Sequence, residues 1–150
     1  MVDTVASQTL ENGSQWYRAK FTNFSDGVGE TAVVKVDPTS GYAGTTGVSL
    51  GVNFAGNVLF PGVHLKLMRM TYTVSGMTLQ IDWDATSDVT MWFLQGYGKL
   101  DFQKLGGLYV PQSGGAPVTG ATGKILFTTQ GAGAGSSYTV DMTFKKDIVQ

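Results

Sequence analysis

The stretch MTLQIDWD at 77–84 decides the fold class, because apolar and polar residues alternate strictly along it. A period of two residues is typical of a β-strand with one buried face and one wet face. The stretch SYTVDMTFK at 137–145 repeats the pattern, which predicts a second strand of the same kind. The apolar residues of both stretches are the predicted core: Met77, Leu79, Ile81, Trp83, Tyr138, Val140, Met142 and Phe144.

The residues before 77 predict a hairpin. Ser75 and Gly76 separate 64–74 from 77–84, and glycine tolerates the positive φ that a tight turn requires. The apolar phase also slips inside 64–74, near Leu67 and Met68, so we expect a β-bulge at that point.

Further strands are predicted at 15–24, 30–37, 47–54, 89–96 and 123–130, where β-branched and aromatic residues are frequent. Most of the 21 glycines lie between these stretches, and no window of helical length shows a convincing period of 3.6 residues. The pattern predicts an all-β fold, an antiparallel β-sandwich of jelly-roll-like or Ig-like type with about seven or eight strands. We expect one domain at 15–150, preceded by a flexible, polar N-terminal tail at 1–14.

Composition limits the classes of partner. The net charge is -1 and 14% of residues are charged, without the basic patch that nucleic-acid binding requires. The chain has no cysteine and no apolar run long enough to span a membrane. We therefore expect no direct contact with nucleic acid or membrane, and the lack of a leader sequence favours a protein made in a cytoplasm.

A search for catalytic or metal-binding chemistry gives little. His64 is the only histidine and has no G-x-S-x-G motif to accompany it, so we expect it to be structural. Asp82, Asp84 and Asp88 resemble a calcium loop, but the glycine and glutamate of an EF-hand are missing. We expect Asp82 and Asp84 to be solvated on the wet face or to cap a turn. The sequence thus predicts a protein that is not an enzyme, with no catalytic residue, metal or cofactor.

The stretch 97–122 alternates too little for a long strand and is too long for a simple loop. It is predicted to be an arm that contacts another subunit, although a loop that covers its own subunit is an equal alternative. The predicted contact residues are its apolar members: Leu100, Phe102, Leu105, Leu108, Tyr109, Val110 and Pro111.

Three stretches carry a likeness to known proteins: WYRAKFTNFSDGVGETAVVKV at 16–36, MTLQIDWDATSDVTMWFLQGYGKLDF at 77–102 and GKILFTTQGAGAGSSYTVDMTFKK at 123–146. They resemble structural proteins of tailed bacteriophages, of the cyanophage and marine-phage type, in particular capsid decoration or cement proteins. The resemblance implies a protein of the virion, bound to the major capsid protein on the outer surface of the head. It also implies assembly in the host cytoplasm, a homo-oligomer, commonly a trimer, and stabilisation of adjacent capsomers.

Two other functions stay open at this point. A carbohydrate- or surface-binding module, including a neck or tail component, would use aromatics such as Tyr97, Phe102 and Tyr109 as stacking platforms. A polysaccharide-cleaving enzyme would use paired carboxylates such as Asp82 and Asp84. Asp82 and Asp84 flank Trp83 but are expected to face away from it, and the sequence offers no second constellation of catalytic residues.

Overall fold

The computed structural model describes residues 4–12, 15–36, 63–108, 112–113, 116–117 and 123–148. Within these ranges the chain forms nine β-strands and one short 3-10 turn, Gln103–Leu105. The strands are β1 (Thr4–Asn12), β2 (Trp16–Asp26), β3 (Val33–Val36), β4 (Val63–Trp83), β5 (Val89–Asp101), β6 (Gln112–Ser113), β7 (Ala116–Pro117), β8 (Ile125–Gln130) and β9 (Ala134–Ile148). The predicted strand at 47–54 lies outside the described residues.

Seven strands form one antiparallel sheet in the order β1-β2-β9-β4-β8-β3, with β5 on the other edge of β4. The first half of β4 pairs with β9 and its second half pairs with β8, whereas β5 follows both halves. The sheet therefore divides into two layers that share β4 and β5. Phe21 on β2 and Phe127 on β8 are not on paired strands, yet their ring centroids are 5.5 Å apart, so the layers face each other. The predicted all-β antiparallel sandwich is confirmed.

The predicted hairpin at Ser75 and Gly76 is wrong, because β4 continues through both residues. Gly76 has the expected positive φ of 76°, but it lies where the ladder of β4 passes from β9 to β8. The Ser136 hydroxyl donates a hydrogen bond of 3.0 Å to the Gly76 carbonyl and occupies the space where a Cβ would lie. The glycine thus allows a long strand to pass from one layer to the other.

The predicted core is confirmed. All eight residues predicted from the two alternating stretches are buried, and they form one cluster with apolar residues of β2, β5 and β8. The predicted bulge is also confirmed, since the register of β4 against β9 shifts between Leu67 and Arg69. An extra residue at this point reverses the phase of the side chains, which is why the apolar pattern slips there.

The N-terminal residues 4–12 form strand β1 rather than the expected tail. β1 pairs antiparallel with β2, from Thr4 opposite Phe24 to Asn12 opposite Tyr17. Its side chains are exposed from 4 to 11, so the strand is held mainly by its backbone ladder. None of the described segments is a helix with the length and apolarity needed to cross a bilayer.

Candidate functional site

A group of exposed aromatic residues lies along β5. This strand pairs only with β4 within the described ranges, so its other edge presents backbone groups without a partner strand there. Three aromatic residues lie exposed on it within six positions: Trp92, Phe93 and Tyr97, the last 87% exposed. We call these three residues and the outer backbone of β5 the β5 edge. Exposed edges and aromatic patches of this kind favour association with another chain.

The alternation of β5 sets the direction of these side chains. Phe93 lies opposite Gln80 and Tyr97 lies opposite Thr73, and both neighbours belong to the outer face of the sandwich. Trp92 has the other parity, and its ring contacts that of Phe102 edge to face at 5.6 Å. Phe93 and Tyr97 therefore lie on the outer face of the β5 edge, whereas Trp92 lies on the other face of the strand, beside Phe102.

The predicted contact arm begins by packing on its own subunit. Phe102 is buried, and its N–H donates to the Met68 carbonyl at 2.9 Å. Two backbone hydrogen bonds join Leu67 and Leu108. The Leu67 N–H donates to the Leu108 carbonyl at 2.6 Å, and the Leu108 N–H donates to the Leu67 carbonyl at 2.9 Å. Phe102 and Leu108, both predicted contact residues, thus lie against the core of the same chain.

The other predicted contact residues have different surroundings. Leu100 is half-buried against the core, whereas Leu105 in the 3-10 turn is 75% exposed. Tyr109, Val110 and Pro111 lie outside the described residues. Of the residues predicted as aromatic platforms, Tyr97 is exposed and Phe102 is not.

A hollow of about 420 Å³ lies on the outer face of the layer that contains β2 and β9. Trp16 and Arg69 are among its lining residues. The Arg18 guanidinium also lines it and donates two hydrogen bonds to Asp141, Nε to Oδ1 at 3.0 Å and Nη2 to Oδ2 at 2.6 Å. These bonds hold the pKa of Arg18 above its ordinary value. The hollow combines an indole with charges of both signs, an arrangement suited to a polar ligand.

The sequence-predicted carboxylates are not brought together as a site. Asp82 was expected on the wet face, but it is only 5% exposed, and this expectation is wrong. Its side-chain oxygens accept hydrogen bonds of 2.9 and 3.0 Å from Gln80 Nε2, so this buried polar group has a hydrogen-bond partner within the protein. Asp88 accepts a hydrogen bond from the Ala85 N–H and so stabilises the turn after β4.

His64 is the second residue of β4 and lies opposite Asp147 of β9. Among the described residues, no three His, Cys, Asp or Glu side chains are grouped in a way that could hold a metal ion.

A polar cluster that the alternation of apolar residues does not predict lies inside the sandwich, formed by Asn23, Glu30, Lys35 and Tyr138. Glu30 is its centre: Oε1 accepts from Asn23 Nδ2 at 2.8 Å and from the Tyr138 hydroxyl at 2.5 Å. The Lys35 Nζ lies 2.5 Å from Oε2 of the same carboxylate. All four residues are buried. Two signals were present in the sequence, since Asn23 has the parity of the buried Phe21 and Lys35 interrupts an apolar run.

No protein-family model matches the chain, and no curated protein has a sequence similar enough to match it.

Proposed function

We propose that the chain is a non-enzymatic structural protein of a tailed-phage particle, a decoration or cement protein that binds the outer surface of the head. In this role it contacts the major capsid protein, associates with copies of itself and stabilises adjacent capsomers. The observation that carries the proposal is the β5 edge, an aromatic strand edge without a partner strand among the described residues.

The physical argument concerns what such an edge does in solution. A long edge strand with unpaired N–H and C=O groups is a template for another strand, and soluble proteins usually protect it with charges, proline or a covering segment. The stretch from 91 to 98 (MWFLQGYG) contains neither a charged residue nor a proline. Aromatic residues are also enriched in protein interfaces. These features favour a surface that is covered in the assembled state.

The dimensions of β5 suit an interface between subunits. Its 13 residues extend for about 40 Å at the rise of a β-strand. A stable interface buries about 800 Å² per partner. A strand edge of this length, with Phe93 and Tyr97 beside it, supplies a large part of such an area. We propose that the homo-oligomer forms along this edge, with the exposed Leu105 nearby in sequence.

Light scattering and co-sedimentation test this function. We expect the wild-type chain to form an oligomer, with a trimer as the proposed state, and to sediment with phage heads that lack it. Replacing Phe93 and Tyr97 with serine should give a smaller species and weaken head binding, because aromatic anchors carry much of the binding energy. Phe24→Ser is the matched control, since Phe24 is 60% exposed on β2, away from β5. If the double variant and the control behave like wild type in both assays, the β5 edge is not the interface.

A second candidate function is a carbohydrate-binding module. The observations that favour it are the exposed Tyr97 ring and the hollow beside Trp16, because aromatic faces and paired charges bind sugar rings and hydroxyls. A glycan array distinguishes the two functions. Saturable binding that Trp16→Ala abolishes, together with no binding to heads, would favour the carbohydrate module.

A further inference from the structure

We propose that the side chains of Lys35 and Asn23 become joined by an amide bond between Nζ and Cγ, in a reaction assisted by Glu30. The bond would tie the two layers of the sandwich together from within. The inference is independent of the phage role and rests on the buried polar cluster.

The cluster places an amine and a carboxamide on opposite oxygens of a single carboxylate. Lys35 Nζ lies 2.5 Å from Oε2 of Glu30, and Asn23 Nδ2 lies 2.8 Å from Oε1. The carboxamide carbon is bonded directly to that Nδ2. Attack requires the reacting atoms to be about 3–3.5 Å apart. The proposed reaction therefore requires a rotation of the Lys35 side chain about the shared carboxylate that brings Nζ within this distance of Cγ.

The surroundings of the cluster exclude water. Lys35 is 4% exposed, and its Nζ lies 5.9 Å from the centroid of the Phe127 ring. The Phe127 ring in turn contacts the rings of Phe21 and Tyr138, at 5.5 and 5.7 Å. In apolar surroundings of this kind, burial of a charged pair costs free energy. Transfer of the proton from Lys35 to Glu30 removes both charges and yields a neutral amine, which is the nucleophile.

The local backbone holds these groups in place. The register of β3 against β8 shifts between Val34 and Val36, so Lys35 occupies a bulge, a feature that redirects a side chain. Glu30 is fixed to β8 by two backbone contacts with Thr129: its N–H donates to the hydroxyl at 2.7 Å and its carbonyl accepts at 3.0 Å. Ala32, between the two charged residues, has a φ of 48°, the one positive φ of a non-glycine residue that the structure describes. Such strain is concentrated at functional sites.

The proposed step balances in atoms and charge. The neutral Nζ attacks Cγ of Asn23, the Nζ–Cγ bond forms and the Cγ–Nδ2 bond breaks. Glu30 transfers two protons in turn from Nζ to Nδ2: the one already taken from the ammonium group, and the one that Nζ loses as the amide forms. Nδ2 therefore leaves as an ammonium ion and the carboxylate is regenerated. The lysine ammonium and the carboxamide are converted to a secondary amide and an ammonium ion. No oxidant or other co-reactant is required.

A buried ion pair by itself gives little stability, because its desolvation offsets much of the attraction. A covalent link between β2 and β3 would instead close a ring of chain from 23 to 35 and constrain the unfolded state, as a disulfide does. The chain has no cysteine that could supply such a link.

Mass spectrometry of the denatured, full-length protein is the first test. After incubation until the mass is constant, the wild-type chain should be lighter than its sequence by one ammonia molecule. Glu30→Gln keeps the size of the side chain but cannot carry the proton, so it should retain the full mass. Lys20→Arg, on the same strand as Asn23, is the matched control and should still lose ammonia. Circular dichroism shows which variants are folded. The wild-type measurement tests the proposal even if a variant does not fold. If the wild-type mass equals the mass calculated from its sequence, the proposal is wrong.

Proteolysis locates the bond. Trypsin does not cleave after a lysine whose amine is in an amide, so the linked chain should give one peptide spanning 21–66 in place of 21–35. Cleavage after Glu30 by a glutamate-specific protease should then leave its two parts joined. Loss of ammonia with normal cleavage after Lys35 would place the change elsewhere and would equally overturn the proposal.

Discussion

Replacing Phe127 with alanine should remove more stability than any exposed aromatic substitution in the chain. Phe127 is fully buried on β8, and its ring contacts Phe21 and Tyr138 edge to face at 5.5 and 5.7 Å. Phe→Ala in a core costs about 3–5 kcal/mol. Aromatic pairs add about 0.5–1.5 kcal/mol beyond their buried area. We therefore expect a loss in the upper part of that range, about 4–5 kcal/mol, which is a large fraction of the ~5–15 kcal/mol that stabilises a typical protein.

Urea titration followed by tryptophan fluorescence measures this loss, with unchanged m-values as the test of a common two-state transition. Phe24→Ala is the control, and we expect a change within about 0.5 kcal/mol, because Phe24 is 60% exposed. The masses of all proteins are checked first, so that chains in the same linked state are compared. A loss below about 1 kcal/mol for Phe127→Ala would refute the assignment of this ring to the contact between the two layers.

The remaining predictions concern strain, pH and surface charge. Gly76→Ala and Gly131→Ala both place a side chain at a positive φ, 76° and 72°, which should cost about 1–2 kcal/mol. Only at Gly76 does the added Cβ meet a neighbouring atom, at 2.8 Å, so its unfolding midpoint in urea should be the lower of the two; equal midpoints would contradict this. Burial raises the pKa of Tyr17 above 10.0, so the stability it supports is full below pH 10 and declines as pH rises through the folded-state pKa. Tyr17→Phe should flatten that decline in alkaline urea titrations, and an unchanged slope would argue against it. Arg18→Ala should cost less than about 1 kcal/mol and less still at high salt, because the pair with Asp141 is partly exposed; a larger, salt-independent loss would count against this.

Much of the fold could be predicted because two strands of this sandwich have one fully buried face. Leu79 and Ile81, like Val140 and Met142, alternate with polar residues without interruption, and both pairs lie in the core. The bulge near Leu67 could be predicted as well. The apolar residues change there from one alternate set of positions to the other, and a bulge is the simplest structure that produces this change.

Other features depend on partners that the local pattern does not contain. Gly76 has the positive φ that a hairpin turn would need, and only the positions of β8 and β9 show that the strand continues through it. Strand β1 has no buried face, so its sequence does not differ from that of a polar tail. The alternation of residues along β4 places Asp82 on the face predicted to be exposed to solvent. It is nevertheless buried, because of the surrounding fold and not because of the pattern of its own strand.

The buried cluster shows most clearly where local reasoning ends. Glu30 is seven residues from Asn23 but 108 residues from Tyr138, so no pattern within one strand could bring these groups together. The sequence does contain two departures from the expected pattern of apolar core residues. Asn23 is a polar residue at an inward position of β2, and Lys35 is a lysine within an apolar run. Local rules that fail in a fold that otherwise follows them are expected at functional or strained positions. Since both departures in this sandwich meet at one carboxylate, the interior between β2 and β3 is where its unexplained chemistry should be sought, while the β5 edge is where its partners should be.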